Sequence, residues 1–199
     1  MKIKRIPAGM YGANCYILID GNEGCIIDPG GDADMLIRNI DALNIDVKFI
    51  LLTHGHMDHT GGVQELKDRY NVPVYINEND LELMRKHSQV FGPAWNETEE
   101  DKTIKDGDVL KLGNLEIKCL ETPGHTPGGM SFVVKDVVFT GDTLFRGSVG
   151  RTDFPGGDHS ALIRSIKEKL IVLDDDTVVL PGHEGESNIK FEKQYNPFL

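Results

Sequence analysis

Residues 53–62 read Thr53-His54-Gly55-His56-Met57-Asp58-His59-Thr60-Gly61-Gly62. This segment, called the histidine loop below, holds three of the chain's seven histidines and one aspartate within six consecutive positions. The mostly apolar run before it, 47–52, predicts a buried strand. After it, Val63, Leu66 and Tyr70 have the spacing of one helix face. The histidine loop therefore joins a strand to a helix.

The histidine loop carries the ligand types of a metal centre that lacks cysteine. Neutral imidazole and carboxylate are the commonest non-thiolate ligands for zinc and related ions. His54 and His56 are two residues apart in an extended segment, so both side chains can point to one side. Asp58 and His59 follow where the chain turns and can face a second point close by. The spacing predicts two adjacent metal ions. The alternative, a polar loop of solvated histidines, would crowd these groups without a compensating partner.

Composition limits the classes of partner and compartment. A chain of 199 residues predicts one domain, spanning 1–199, that is large enough to bury a core. The formal net charge of −11 argues against nucleic acid or an anionic membrane as a partner, and no apolar run approaches the length of a membrane span. Cys15, Cys25 and Cys119 are scattered and follow no signal peptide, which predicts reduced core thiols in the cytoplasm.

The apolar pattern predicts strands and then a helix in each half of the chain, which favours a layered α/β sandwich of two similar halves. The predicted strands are 2–6, 15–19, 25–27, 47–52, 72–76, 109–112, 115–120, 130–134, 137–140 and 178–180. The predicted helices are 32–44, 63–70, 78–86, 158–170 and 187–195. Segment 87–102 has no clear pattern. It is either a surface excursion or a loop that covers the substrate through Phe91 and Trp95.

Three further predicted strands end in a histidine or an aspartate beside glycine. His125 follows one strand, Asp142 a second and His183 the last. The neighbouring glycines let backbone segments approach closely. One such residue at a strand end is usually structural. Together with the histidine loop, however, these residues place five histidines and two aspartates at four strand ends.

These motifs resemble the metallo-β-lactamase fold superfamily and, within it, the glyoxalase II-like hydrolases. The likeness runs from Asn14-Cys15-Tyr16 through Asp28-Pro29-Gly30 to Asn196-Pro197-Phe198. The stretch from Gly141 to Phe145 and Gly150-Arg151-Thr152-Asp153 are similar to the short, single-domain branch of the family. The resemblance implies an α/β fold, a four-layered αββα sandwich. It also implies that the helical C-terminal domain with which glyoxalase II holds glutathione is absent.

The resemblance further implies a metal centre of seven ligands. The first ion would be bound by His54, His56 and His125. The second would be bound by Asp58, His59 and His183. Asp142 would bridge the two ions. The implied cofactors are two divalent metal ions. Zinc is the first choice and iron or manganese are alternatives, because ligand sets of nitrogen and oxygen do not choose among these metals.

The implied reaction is hydrolysis of a small-molecule thioester such as S-lactoylglutathione. Metal-bound hydroxide attacks the acyl carbon, Asp58 orients it, and a thiolate with a pKa of about 8.5 leaves without a general acid. An anionic substrate needs local cations in so acidic a chain. Arg151 is the first candidate, by similarity to a basic position in glyoxalase II, and Arg146 is the second. Alternatively, Arg151 pairs with Asp153 or Asp158, and Arg146 pairs with a surface carboxylate.

Two other functions stay open. Glutathione persulfide dioxygenases resemble this chain in the histidine loop and in the stretch 150–154, and they use one iron held by two histidines and a carboxylate. A non-catalytic metal-binding module is the more remote alternative. A β-lactamase is disfavoured, since the bridging position is Asp142 rather than a thiolate or an open site.

Overall fold

Two six-stranded β-sheets face each other at the centre of the protein. The computed structural model describes all 199 residues. The first sheet contains β1 (Lys2–Ala8), β2 (Ala13–Asp20), β3 (Glu23–Ile27), β4 (Asp46–Leu51), β5 (Val74–Ile76) and β6 (Lys102–Thr103). The second contains β7 (Val109–Leu112), β8 (Leu115–Glu121), β9 (Met130–Val134), β10 (Val137–Gly141), β13 (Val178–Pro181) and β14 (Ser187–Asn188). A separate hairpin pairs β11 (Leu144–Phe145) with β12 (Ser148–Val149).

Helices cover the outer face of each sheet. They are α1 (Ala33–Asp41), α2 (Met57–Thr60), α3 (Val63–Tyr70), α4 (Glu78–Arg85), α5 (His159–Ser165) and α6 (Ile189–Tyr195). Leu36 and Leu66 pack on the first sheet, whereas Leu162 and Ile189 pack on the second. None of the helices has the length and apolar character that crossing a membrane requires.

The strands bury both of their faces, as a four-layered sandwich requires. In β2, Ile17 and Ile19 pack towards the helices, while the alternate residue Leu18 packs between the two sheets. Phe132 and Phe139 meet it from the second sheet. The predicted αββα sandwich is therefore confirmed.

Each sheet combines antiparallel with parallel neighbours: the first sheet has three parallel pairs and the second has one. β3 runs parallel to β4, and β10 runs parallel to β13. The carboxyl ends of parallel strands lie at one edge of a sheet, where ligand-binding loops collect. The loops that follow these four strands start at Asp28, at the histidine loop, at Asp142 and after Pro181.

The structure corrects several predicted boundaries. The last helix begins at Ile189 rather than at 187, because Ser187 and Asn188 pair with β13. The predicted helix 158–170 is α-helical only to Ser165 and continues as a π-helical turn, Ile166–Leu170. Four two-residue strands, β6, β11, β12 and β14, are too short to produce an apolar period.

Segment 87–102 fits the predicted surface excursion in part, because most of its residues are exposed, but the two predicted substrate contacts, Phe91 and Trp95, are buried. Trp95 is 6% exposed and its Nε1 donates to Asp101 at 3.1 Å, so it is a core residue rather than a surface or substrate contact. Phe91 is also buried, and the centroid of its ring lies 4.8 Å from that of His56. The segment therefore packs against the histidine loop through Phe91.

Candidate metal centre

The histidine loop turns from β4 into α2, and this turn buries its imidazoles. His54 follows the end of β4, and His56 is the N-cap of α2. His54, His56 and His59 are all at most 4% exposed. Met57, by contrast, points outward and is 54% exposed. The loop therefore presents its polar side chains inward, as the spacing of His54 and His56 predicts.

Three histidines form the first cluster. His54, His56 and His125 each offer a ring nitrogen, and these atoms lie within 4.8 Å of one another. His125 comes from the loop between β8 and β9, and its Nε2 is 2.9 Å from Nδ1 of His56. The structure thus brings together the residues of the first predicted ligand set.

The second cluster consists of Asp58, His59 and His183, whose ligand atoms also lie within 4.8 Å of one another. Nε2 of His183 is 3.2 Å from Oδ2 of Asp58 and 3.4 Å from Nε2 of His59. His183 reaches the cluster from the loop after β13. The second predicted ligand set is therefore brought together as well.

Asp142 lies between the two clusters. Its Oδ1 is 3.4 Å from Nε2 of His59, and its Oδ2 is 3.6 Å from Nε2 of both His125 and His183. One carboxylate thus contacts a histidine of the first cluster and two of the second, which is the position predicted for a bridging ligand.

Asp28 orients two of the histidines, a role that the sequence does not reveal. Its carboxylate accepts from Oγ1 of Thr53 at 2.6 Å, and that hydroxyl lies 3.0 Å from Nδ1 of His54. It also accepts from Nδ1 of His59 at 3.0 Å. A hydrogen bond at Nδ1 fixes the tautomer and leaves Nε2 available as a ligand. The only signal in the sequence is that Asp28 directly follows a buried strand.

Asp80 joins the two loops that carry the first cluster, and the sequence does not reveal this role either. It is fully buried in α4 and accepts from the backbone N–H groups of Gly55 at 2.9 Å and Gly128 at 2.7 Å. These glycines lie in the histidine loop and in the loop of His125. In the sequence Asp80 looks like an ordinary acidic residue in the first turn of a helix, so no pattern identifies it.

The electrostatics of the centre suit metal coordination. Burial lowers the pKa of His54 well below its ordinary value and lowers the pKa of His56 to about 3. Both rings are therefore neutral at pH 7, as ligands must be. Burial alone would raise the pKa of Asp142, but three neighbouring imidazoles outweigh it and lower the pKa. Asp142 is therefore ionised.

The two histidines of the second cluster both have raised pKa values. Burial disfavours the charged form of His59, but the carboxylates of Asp142 and Asp28 outweigh burial and hold its pKa well above the ordinary value. The hydrogen bond to Asp58 raises the pKa of His183. Cationic charge is thus stabilised at this point, which is the environment that a bound metal ion needs.

The hydrogen bonding of the centre also fits a bound metal ion. Nε2 of His54, Nε2 of His56 and Oδ1 of Asp142 are buried without a hydrogen-bond partner. Buried polar atoms normally have such a partner, and its loss costs about 1–3 kcal/mol. A cation coordinated by nitrogen and oxygen would satisfy atoms of this kind.

The two predicted substrate arginines lie in different environments. Arg151 pairs with Asp153 through two bonds of 2.7 Å, and its guanidinium carbon lies 3.8 Å from the centroid of the Phe154 ring. Its backbone oxygen accepts from Nδ1 of His125 at 2.7 Å. Binding a substrate carboxylate at Arg151 would require replacing Asp153. Arg146 has no carboxylate partner and lies over the ring of Phe191 instead.

Comparison with known proteins gives a consistent assignment. The model of the metallo-beta-lactamase superfamily matches residues 8–183. A protein of Haemophilus influenzae named hydroxyacylglutathione hydrolase GloC is 42% identical over 208 residues, covering 100% of this chain and 98% of the relative. The crystal structure of BLEG-1 B3 metallo-beta-lactamase has a TM-score of 0.90 at 35% identity, covering 100% of this chain and 99% of the other.

A second solved structure, TTHA1623 in a di-iron-bound form, has a TM-score of 0.87 at 33% identity. It covers 98% of this chain, which in turn covers 100% of it. The family model, the relative and both structures match almost the whole chain. The chain therefore belongs to the metallo-beta-lactamase superfamily and is a metallo-hydrolase of that superfamily.

Proposed function

We propose that this protein hydrolyses thioesters of low-molecular-weight thiols, such as S-lactoylglutathione, with two divalent metal ions. The observation that carries the proposal is the Asp142 carboxylate, which lies 3.4 or 3.6 Å from histidines of both clusters. The Haemophilus relative named hydroxyacylglutathione hydrolase supports this reaction, because it is 42% identical over its length. The three buried, unpaired cysteines support a reducing compartment such as the cytoplasm.

The first ion would be bound by His54, His56 and His125. The second ion would be bound by Asp58, His59 and His183, and Asp142 would bind both ions. Zinc is the proposed metal. Iron and manganese are alternatives that the same donor atoms accept, and the di-iron form of TTHA1623 supports iron as one of them. When bound, such ions lower the pKa of coordinated water towards about 7 and polarise a carbonyl oxygen.

The residues of the chain have three tasks in this reaction. Asp58, whose Oδ2 lies 3.2 Å from Nε2 of His183 in the second cluster, would accept a hydrogen bond from the attacking water and orient it. Asp28 and Asp80 hold the histidine loop in place. The oxygen of the water forms a bond to the acyl carbon as the carbon–sulfur bond breaks, which gives a carboxylate and a thiolate and releases the two protons of the water to solvent. A thiolate with a pKa of about 8.5 leaves without protonation, so no separate general acid is needed.

Anaerobic hydrolysis of S-lactoylglutathione by the zinc-loaded protein tests the proposal. We expect free thiol to appear without oxygen, and we expect Asp142→Ala to abolish its release. Asp136→Asn is the matched control, because Asp136 is an exposed aspartate directly before β10, the strand that Asp142 follows. No thiol release from protein loaded with zinc, iron(II) or manganese(II) would overturn the proposal.

The same preparations distinguish the competing activities. Oxygen uptake with glutathione persulfide, together with no thioester cleavage, would identify a dioxygenase. Hydrolysis of a chromogenic cephalosporin without thioester cleavage would identify a β-lactamase, the activity in the name of BLEG-1. We expect neither, because Asp142 lies between two complete ligand sets.

A further inference from the structure

His183 differs from the other clustered histidines, because no hydrogen bond of the protein reaches its Nδ1. Nδ1 of His54, of His59 and of His125 each lies within 3.0 Å of an oxygen atom. Nδ1 of His56 lies 2.9 Å from Nε2 of His125. The ring of His183 makes hydrogen-bond contacts only through Nε2, the atom that faces the second cluster. The position of this ligand therefore depends on the backbone that carries it.

Asn14 of β2 holds the backbone on both sides of His183. Its Nδ2 donates to the backbone oxygens of Pro181 and Glu184, each at 3.0 Å. Its own backbone N–H donates to the oxygen of Gly182 at 2.7 Å. Asn14 is only 3% exposed, so little water competes for these bonds. Three hydrogen bonds from one residue of the first sheet thus fix a ligand-bearing turn of the second sheet.

Tyr16 supports the same turn. It lies two residues after Asn14 in β2, so both side chains point from one face of the strand. Its hydroxyl donates to the backbone oxygen of Pro181 at 2.8 Å, which gives that oxygen two donors. The ring of Tyr16 is buried against Phe139, with centroids 5.2 Å apart. The motif Asn14-Cys15-Tyr16 therefore joins β2 to the loop that follows β13.

The turn that Asn14 holds is strained and lies against the metal centre. Glu184 has a φ of 64°, a left-handed conformation that is uncommon for residues other than glycine. Such conformations persist where the surroundings enforce them, and the Glu184 oxygen accepts from both Asn14 and Arg5 at 3.0 Å. A Cβ atom added at Gly182 would collide with Oδ1 of Asp142. A small shift of this backbone would therefore also reach the carboxylate between the clusters.

We propose that Asn14 and Tyr16 are positioning residues for the second metal site. By fixing the backbone on both sides of His183, they hold its imidazole where it faces Asp58 and His59. None of their side-chain hydrogen bonds reaches a residue of the first cluster. Their loss should therefore weaken the second site selectively and leave a protein that binds one ion tightly. This inference rests on the two-metal centre of the proposed function, but not on the reaction that the centre catalyses.

Stepwise removal of zinc from the loaded protein by a competing chelator tests the inference. The ring-nitrogen NMR signals of the seven histidines show which imidazoles are coordinated at each step, so the two sites are followed separately. In Asn14→Ala we expect the Kd of the second ion to rise about 10–100-fold, as for loss of other outer hydrogen-bond partners. Tyr16→Phe should raise it about 5-fold, because one hydrogen bond is lost. The Kd of the first ion should not change in either variant.

Asn77→Ala is the matched control. Asn77 is also a buried asparagine whose Nδ2 donates to a backbone oxygen, that of Ile104 at 3.1 Å. Urea unfolding with excess chelator compares the stabilities of the variants, and Asn77→Ala should lose stability without a weaker second site. The inference is overturned if the second ion binds wild type and Asn14→Ala equally. It is also overturned if Asn77→Ala weakens the second site as much as Asn14→Ala does.

Thioester hydrolysis by the same preparations separates this inference from the proposed function. Excess zinc should restore hydrolysis in Asn14→Ala, because all the ligands of the second ion are still present. Selective loss of the second ion in Asn14→Ala, with no thioester cleavage by the wild type, would leave the positioning role standing and refute the proposed reaction alone. An active wild type whose second-ion affinity does not depend on Asn14 would refute the positioning role alone.

Discussion

Among single residues, Asp142 has the widest influence on the centre, because one carboxylate faces both clusters. We predict two metal ions per chain at saturation, and weaker binding of both in Asp142→Ala. Loss of an outer hydrogen-bond partner usually costs 10–100-fold in metal affinity, so loss of a bridging ligand should cost at least about 10-fold. Asp142→Asn should be nearly as damaging, since it removes the charge that offsets repulsion between two cations.

Elemental analysis and chelator competition measure this effect, with Asp136→Asn as the control. Saturation at one ion per chain in the wild type would contradict the two-metal assignment and favour the single-iron alternative. Full binding of both ions by Asp142→Ala would show that Asp142 is not a ligand.

Asp28 acts on the same centre indirectly. Asp28→Asn keeps the size of the side chain but removes the charge that orients Thr53 and His59. We predict a loss of about 10–100-fold in metal affinity, with the far-UV circular dichroism spectrum unchanged. Competition with a chromogenic chelator measures the affinity. An unchanged affinity would show that backbone packing alone aligns the two imidazoles.

Among the elements, the loop after β3 and helix α2 are in backbone contact. A Cβ atom added at Gly30 would lie 1.7 Å from the backbone oxygen of Asp58, so Gly30→Ala must displace one of the two segments. We predict a destabilisation of about 1–3 kcal/mol, typical of overpacking, and a weaker second metal site. Urea unfolding and metal titration measure these effects. Gly185→Ala is the control, because its added Cβ meets no atom within 4 Å.

Segment 87–102 is attached to α3 and β5 through one carboxylate. Asp101 accepts from Nζ of Lys67 and the backbone N–H of Val74, each at 2.7 Å, and from Nε1 of Trp95 at 3.1 Å. Asp101→Asn would leave the Lys67 ammonium buried without a counter-charge. We predict a loss of about 3–5 kcal/mol, the usual cost of breaking a buried ion pair, measured by urea unfolding at pH 7.

The contribution of the Asp101–Lys67 ion pair to stability should depend on pH. Burial alone would raise the pKa of Asp101, but the Lys67 ammonium and backbone N–H groups outweigh it and lower the pKa. A carboxylate with a depressed pKa stabilises the fold above its unfolded value of about 3.9, and the stabilisation disappears as pH falls through the folded value. The difference between wild type and Asp101→Asn should therefore be constant above about pH 5 and shrink below pH 4. A difference that grows on acidification would contradict this assignment.

At the scale of the whole molecule, sequence patterns predict strands and the polar residues that follow them. They do not predict contacts between residues of segments that are distant in the sequence. The metal-centre residues are recognisable because they lie in loops that follow apolar strands, three of which, β4, β10 and β13, are parallel to a neighbour and end at one edge of a sheet. Asp80 is not recognisable, since its partners Gly55 and Gly128 are 25 and 48 residues away and are backbone groups.

Segment 87–102 shows the limit of reading polarity as exposure. Its acidic run suggests a surface loop, but Asp101 turns inward because Lys67, Trp95 and two backbone N–H groups satisfy it. A buried carboxylate of this kind leaves no periodic signal. For Arg151 the sequence leaves two roles open, binding the substrate or pairing with Asp153 or Asp158, and the structure shows the pair with Asp153.

Metal binding should also determine the stability of the whole fold. The two clusters and Asp142 come from loops of both sheets, so ions bound there would link the two halves. A ligand that binds only the folded state at 100 times its Kd adds about 2.7 kcal/mol. For a chain of 199 residues, each kcal/mol raises Tm by about 2–4 °C. We predict that saturating zinc raises the Tm of chelator-treated protein by about 5–10 °C.

Differential scanning calorimetry measures this change, with Asp142→Ala as the comparison. The variant should begin with a Tm close to that of the metal-free wild type and gain less from zinc, because its carboxylate no longer joins the clusters. A Tm that does not respond to zinc, iron(II) or manganese(II) would mean that the clustered histidines and aspartates do not bind metal.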